Sequence, residues 1–200
     1  MKRVGLVVFA MLAVAMLCTS AMAQGDNSVY FVTYYSNNVS AAPDAVVRVV
    51  NDGDTENDLW AVFFVFDDSQ ELTQCCSCDV TADGLLSEDV KTELTAYPLR
   101  NVRNSRGVIK EISSSTCFGN GYKPIGYSGC GYSTPTTPTP GLRSWSTHIQ
   151  RANAGYSITE TAFADSNLAA SEKTLLEQLC YFDYLLSGAP CYCTPEDYDF

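Results

Sequence analysis

Hydrophobic and polar positions alternate with a period of two along several short stretches of the chain, which is the pattern of half-buried β-strands. Residues 29–35 (VYFVTYY) and 45–50 (AVVRVV) are dense in β-branched and aromatic side chains. Residues 59–66 (LWAVFFVF) are apolar at every position. Because a strand that is apolar on both faces is typical of one covered on both sides, we expect 59–66 to be a central strand.

Weaker strand patterns follow along the chain, separated by turn-rich segments at 36–44, 51–58 and 101–106. They span residues 91–97, 107–112, 144–150 and 156–163. Helical patterns do not alternate with these strands, which argues against parallel βαβ units. The sequence therefore predicts a mainly β protein, a disulfide-stapled antiparallel β-sandwich with one C-terminal helix.

The predicted helix carries an apolar stripe at helical spacing. Its members are Leu168, Leu175, Leu179, Phe182 and Leu186. Asp165, Ser166 or Asn167 can cap its start, and Gly188 with Pro190 can end it. Cys180 lies beside the stripe, so the helix is expected to face the sheet and to be bonded to it.

The first 23 residues have the pattern of a cleaved export signal. Lys2 and Arg3 precede an apolar run at 4–17, and Ala21-Met22-Ala23 fits the small-x-small cleavage pattern. Residues 24–200 then form a single predicted domain. Within it, residues 118–141 are rich in glycine and tyrosine and then in threonine and proline, which predicts an extended surface loop.

Charge excludes one class of partner. The chain has 12 basic and 23 acidic residues, and removing the signal with its two basic residues leaves a net charge of −13. A chain this acidic is repelled by nucleic acid, so DNA and RNA binding are excluded. No second apolar stretch is long enough to cross a bilayer, so we expect no integral membrane segment after signal cleavage.

Eight cysteines remain after the signal, and this density is typical of proteins in oxidising compartments. They form a first trio (Cys75, Cys76, Cys78), a second trio (Cys180, Cys191, Cys193) and the pair Cys117 and Cys130. Neighbouring cysteines seldom bond each other. If Cys117 and Cys130 close their own loop, the two trios pair with each other in one of six ways.

Thiol chemistry and metal binding are the alternatives to structural disulfides. A Cys-x-Cys pair can be redox-active, and cysteine clusters bind zinc or copper(I). The chain has one histidine, however, and its cysteine spacing differs from that of paired Cys-x2-Cys zinc sites. We therefore interpret all eight as structural disulfide cysteines.

An acidic turn, NDGDTEND, is the candidate metal site. Asp52, Asp54, Glu56 and Asp58 alternate through it, and calcium prefers such oxygen ligands. The spacing departs from that of the EF-hand, and a solvated turn without metal is the simpler interpretation. Calcium is the one cofactor that the sequence suggests.

Signals for catalysis are weak. His148, the single histidine, is expected to be exposed and inert, and the Gly-x-Ser-x-Gly pattern of serine hydrolases is absent. We predict no enzyme and no catalytic residue. Exposed aromatic residues could instead stack on polysaccharide, and the candidates are Trp60, Trp145, Tyr122, Tyr127 and Tyr132.

Three parts of the chain carry a resemblance to other proteins. They are the run LWAVFFVFDDSQELTQCCSC at 59–78, the segment GLRSWSTHIQ at 141–150 and the closing Cys-x-Cys. Together they resemble uncharacterised exported cysteine-rich proteins of soil acidobacteria. The resemblance implies export and a shared disulfide-bonded domain, with no catalytic residue.

Three classes of function follow from these observations. The first is an exported structural or interaction protein of the cell surface or extracellular space, with self-assembly into a fibre or coat as one form. Residues 29–35 could then be a strand donated to a neighbouring subunit, although an ordinary first strand of the chain's own sheet is the simpler interpretation. The second is a carbohydrate- or calcium-binding β-sandwich module. An exported thiol oxidoreductase or hydrolase is the weakest alternative.

Overall fold

A computed structural model describes residues 27–37, 39–95, 105–119, 121–123, 126–128, 130–187, 191 and 193. The predicted signal peptide and the predicted helix-ending residues Gly188 and Pro190 lie outside these residues. The strands are β1 Tyr30–Ser36, β2 Val46–Asn51, β3 Leu59–Asp67, β4 Leu72–Val80, β5 Leu85–Asp89, β6 Arg106–Ser114, β7 Gly121–Lys123, β8 Gly126–Ser128, β9 Leu142–Ala152, β10 Gly155–Ala162 and β11 Ala164–Asp165. Within these described residues, one α-helix, which we call α1, spans Ala170–Ser187.

The strands form two sheets. The larger has the order β11-β1-β6-β3-β4-β7-β8, and the smaller has the order β10-β9-β2-β5. All pairs are antiparallel except β4 with β7. The prediction of a mainly β protein with antiparallel sheets, several disulfides and a C-terminal helix is confirmed.

Strands β3 and β4 lie at the centre of the fold and are covered on both sides. Leu59, Phe63 and Val65 of β3 belong to a hydrophobic cluster with residues of both sheets, whereas Trp60 and Phe64 belong to a second cluster that includes α1. The fold therefore has three layers: the small sheet, the large sheet and the helix. The prediction that 59–66 is a central strand is confirmed.

The helix contacts the large sheet through a face that overlaps the predicted stripe only in part, since Leu179 of the stripe packs against the second cluster. Leu176, Cys180 and Asp183 are its buried positions, whereas Phe182 and Leu186 of the predicted stripe are exposed. The Cys75–Cys180 bond explains the difference, because it fixes which side of the helix meets β4. Part of the predicted stripe is thus left uncovered.

Two further segments differ from the predictions. Residues 90–94 form one π-helical turn rather than a strand. The predicted loop at 118–141 contains β7 and β8, and its residue Phe118 is buried against the helix side of the large sheet. Strand β1 pairs along its whole length with β6 of its own chain, which confirms the simpler interpretation of 29–35 as a strand of its own sheet.

Candidate functional site

The structure contains four disulfides, which include all eight cysteines outside the predicted signal. They are Cys75–Cys180, Cys76–Cys191, Cys78–Cys193 and Cys117–Cys130. The first three join the two trios, as expected, and close loops with sequence separations of 105, 115 and 115 residues. The disulfides therefore join the helix and the segment after it to β4.

Side-chain alternation along β4 explains why neighbouring cysteines have different partners. Successive residues of a strand point to opposite faces. Cys75 accordingly lies in the helix-side cluster, whereas Cys76 and Cys78 lie between the sheets. Cys75 reaches the helix, and the other two reach the chain that follows it.

The four sulfurs between the sheets form one cluster. The Sγ atoms of Cys76, Cys78 and Cys193 all lie within 4.8 Å of one another, and Cys191 is bonded to Cys76. Among the described residues, no other set of three or more histidine, cysteine or carboxylate side chains comes this close. All four cysteines are buried.

The exposed side of α1 is apolar. Six large apolar side chains on it are 42% to 75% exposed, although apolar side chains of this size are usually buried. They are Leu175, Tyr181, Phe182, Tyr184, Leu185 and Leu186, and we call them the apolar helix face. The only charged residue of the helix after Glu177 is Asp183, which is buried, so the exposed surface from Gln178 onward carries no charge.

Several bonds hold the helix in place. Lys110 Nζ contacts Glu172 Oε1 at 2.6 Å, and the Tyr30 hydroxyl donates to the same oxygen at 3.1 Å. The Lys110 hydrogen bond is the main cause that holds the pKa of Glu172 below its usual value. Together with Cys180, these contacts fix the helix from its first turn to its middle. Its apolar face is therefore exposed on a firmly attached element.

An aromatic groove lies where the helix meets the segment closed by Cys117–Cys130. Tyr132 stacks on Tyr184 with ring centroids 4.6 Å apart, and it contacts Tyr181 and Phe118 at 5.7 Å each. The groove has a volume of about 250 Å³. Its lining residues are Phe118, Tyr132, Ser133, Pro135, Thr174, Glu177, Gln178 and Tyr181.

Both walls of the aromatic groove are anchored. Glu177 accepts hydrogen bonds from the backbone and hydroxyl of Thr136, at 2.8 and 2.7 Å, and from Lys173 at 2.8 Å. The groove therefore combines aromatic rings with hydroxyl and amide groups in a fixed arrangement. This mixture is suited to a ligand that has both apolar faces and hydroxyl groups.

A larger open cleft, with a volume of about 710 Å³, lies at the β9–β10 hairpin. It is lined by Val39, Ser40, Arg151, Ala152, Asn153, Gly155 and Tyr156. Tyr156 is its one aromatic residue. The smaller groove on the helix is the better candidate because its aromatic rings contact one another and are held by disulfides.

The other aromatic candidates lie elsewhere. Trp60 is buried in the helix-side cluster, and Trp145 is half-buried on β9. The side chains of Tyr122 and Tyr127 lie outside the described part of the structure. Of the residues predicted from sequence for stacking, Tyr132 lines the aromatic groove. Trp60, although buried, lines a separate pocket of about 400 Å³ beside the acidic turn.

The carboxylates of the acidic turn do not converge. Asp52 forms an ion pair with Arg143 at 3.5 Å, and Asp58 accepts a hydrogen bond from the backbone of Ala82 at 3.4 Å. Asp54 and Glu56 are exposed. The four do not form a set of ligand atoms as close as the cysteine cluster, and calcium binding at this turn stays a hypothesis.

His148 is buried, contrary to the sequence prediction of an exposed residue. Its ring stacks on Tyr34 with centroids 4.0 Å apart, and its Nε2 lies 2.7 Å from the Thr161 hydroxyl. Burial lowers the pKa of His148. The prediction failed because Ser144 and Ser146, which share its face of β9, point into the protein rather than toward solvent.

Glu111 is a carboxyl group between the two sheets that the sequence analysis did not single out. It lies on β6, fully buried, opposite Phe31 and Phe63 of the neighbouring strands. Burial raises the pKa of Glu111 to about 8, and a hydrogen bond with the Ser144 side chain offsets part of the rise. Glu111 is thus protonated at neutral pH, and it is enclosed rather than accessible to a substrate.

Comparisons with known proteins identify no relatives: no family model, curated protein or solved structure matches the chain. The resemblance stated from the sequence therefore remains an expectation. Four disulfides are compatible with an extracellular or periplasmic location. Within the described residues, no helix is both long and apolar enough to span a bilayer.

Proposed function

We propose that the chain is an exported interaction protein of the cell surface or extracellular space that binds a second copy of itself through the apolar helix face. The observation that carries this proposal is the exposure of six large apolar side chains on a helix that is bonded to the sheet. Contiguous apolar patches of this kind mark interaction sites. The export pattern at residues 1–23 and the disulfides support the location.

The distribution of charge favours a second copy of the chain as the partner that binds the apolar helix face. The chain carries a large negative charge, which opposes association wherever acidic surfaces meet. The exposed second half of α1 has no charged side chain, so two copies can pack there without placing like charges together. Six large side chains, each 42% to 75% exposed, provide an apolar centre for an interface, and a stable interface buries roughly 800 Å² per partner.

Self-association is tested by exchanging apolar helix residues for glutamine, which retains helix propensity. We expect the protein to form dimers or larger assemblies on a sizing column with light scattering. Phe182→Gln with Leu185→Gln should weaken association at least about 100-fold, because each buried side chain of this size contributes about 1.5–3 kcal/mol. Negative-stain microscopy of the same fraction separates closed dimers from filaments.

The matched control changes two equally exposed apolar residues elsewhere. Leu85 and Ile158 are 52% and 50% exposed and lie on the edge strands of the small sheet. Leu85→Gln with Ile158→Gln should leave association unchanged. A monomeric wild-type protein, or association that the helix variant does not weaken, would reject the proposal.

Carbohydrate binding is the second candidate function, and the aromatic groove favours it. Its volume suits one sugar ring, whose apolar face can stack on Tyr181 while its hydroxyls meet Gln178 and Thr174. The rings are held in position before a ligand arrives, which reduces the entropic cost of binding.

Retention on insoluble polysaccharide tests this second function. We expect Tyr181→Ala to reduce the retained fraction at least about fivefold, because loss of one aromatic stacking contact costs about 1 kcal/mol or more. Tyr156→Ala is the control, since Tyr156 and Tyr181 are 45% and 44% exposed. Absence of retention, or loss with Tyr156→Ala alone, would eliminate the groove as a sugar site.

A further inference from the structure

Two Cys-x-Cys pairs meet in the core between the sheets. Cys76 and Cys78 lie on one face of β4, and Cys191 and Cys193 repeat the same spacing after the helix. Three of the four sulfurs lie within 4.8 Å of one another, and the fourth is bonded to one of the three. Two separate disulfides would each need only two sulfurs close together. This fold instead brings all four sulfurs into one cluster.

We propose that these four cysteines have a second, reduced state in which they bind one zinc ion. Four thiolates in a tetrahedral arrangement are a common structural zinc site. With Zn–S distances of about 2.3 Å, the sulfurs of such a site lie about 3.8 Å apart. The Cys76 Sγ atom already lies within 4.8 Å of the Sγ atoms of Cys78 and Cys193. On reduction, the sulfurs of the two bonded pairs, which are about 2.0 Å apart in any disulfide, separate by about 1.8 Å to reach this spacing.

The two states exchange electrons, protons and metal in fixed proportions. A dithiol reductant transfers two electrons and two protons to each protein disulfide, becomes a disulfide itself and leaves four protein thiols. Zinc then displaces the four protons and forms a tetrathiolate with a net charge of −2. In the reverse direction, two molecules of a small disulfide accept four electrons, which regenerates both protein disulfides and releases Zn²⁺ and four small thiolates.

The other cysteines cannot form an equivalent site. Cys75 and Cys180 lie on the opposite face of the large sheet, in the helix-side cluster. Cys117 and Cys130 pack against that same cluster. Reduction of either bond yields two thiols, and within the described residues no third ligand lies as close to them as in the four-sulfur cluster. Zinc binding should therefore select four of the eight cysteines.

Metal analysis and cysteine labelling test this selection. The protein is reduced with excess dithiol under anaerobic conditions, freed of reductant by gel filtration and given zinc. We expect one zinc per chain. Brief alkylation followed by mass spectrometry should label the partly buried Cys117 and Cys130 with or without zinc, whereas Cys75 and Cys180 are shielded by burial in both cases. Zinc should add protection only at Cys76, Cys78, Cys191 and Cys193, relative to the reduced protein without zinc. Cobalt in place of zinc should give the sulfur-to-metal charge-transfer absorption of a tetrathiolate site.

Two variants complete the test. Cys117→Ser with Cys130→Ser should still bind one zinc, whereas Cys76→Ser with Cys78→Ser should bind none. The labelling pattern of the wild-type protein does not depend on whether either variant folds. Zinc binding no greater than that of the Cys76/Cys78 variant, or zinc-dependent protection of a different set of cysteines, would overturn the proposal.

Discussion

Replacing all six cysteines of the two trios by alanine should leave the domain unfolded at room temperature. The chain-entropy model assigns about 4.7 kcal/mol to a loop of the size that Cys75–Cys180 closes. The other two bonds then close only the small rings that remain, of about 14 and about 6 residues, which are worth about 3 and about 2 kcal/mol. The sum of about 10 kcal/mol is comparable to the whole stability of an ordinary domain, 5–15 kcal/mol.

The same reasoning predicts that these bonds are not additive. Removing Cys78–Cys193 alone should cost about 2 kcal/mol, because Cys76–Cys191 still closes nearly the same loop. The control is Cys117→Ala with Cys130→Ala, whose bond spans 13 residues and should cost about 3 kcal/mol. Denaturant unfolding followed by tryptophan fluorescence measures each loss. A six-alanine variant that folds cooperatively would contradict the prediction.

The sequence predicted the large-scale fold because its strongest patterns belong to strands with simple environments. Strand β3 is apolar at nearly every position and is covered on both sides. Strand β4 is equally buried but was not predicted, because its polar residues Thr73, Gln74 and Ser77 lie in the core rather than face solvent. Thr73 donates to the Val65 carbonyl at 3.1 Å, and Ser77 donates to the Phe118 carbonyl at 2.6 Å.

Recognition of β4 as a strand would have narrowed the disulfide pairing. Alternation places Cys75 on one face and Cys76 with Cys78 on the other. Cys180 is the one cysteine of the second trio that lies within the predicted helix. It is therefore expected to pair with Cys75, which is the one cysteine on its face of β4. Of the six possible pairings between the two trios, two then remain, and the structure has one of these two.

The candidate site was less predictable because it depends on how elements pack. The apolar stripe of α1 correctly indicated a helix, but periodicity alone does not show which apolar positions meet the sheet. The Cys75–Cys180 bond turns Leu176 inward and leaves Phe182 exposed. The groove also requires Tyr132, from a segment far from the helix in sequence, to contact Tyr181. The hydrophobic pattern of a single helix or strand shows neither which face of α1 is buried nor that Tyr132 contacts Tyr181.

Replacing Glu111 by glutamine should stabilise the protein at pH 8 by up to about 5 kcal/mol and have little effect at pH 4.5. In the folded state the pKa of Glu111 is raised from 4.5 to about 8. Its protonated form is therefore the one that fits the core. Below pH 4.5 both the folded and the unfolded chain are protonated at this residue. Between pH 4.5 and 8 only the folded chain holds the proton, so stability falls as pH rises.

Denaturant unfolding at intervals from pH 4.5 to 8.5 measures the free energy of unfolding of the wild-type protein and of Glu111→Gln. His148, whose pKa is lowered, destabilises the fold as pH falls below its unfolded value of 6.5. This contribution is common to both proteins, so the difference between them isolates Glu111. Glu160→Gln on the exposed strand β10 controls for charge removal at the surface, where an ion pair such as that with Arg48 contributes little. A difference between wild type and Glu111→Gln that stays constant with pH would show that Glu111 is ionised in the fold.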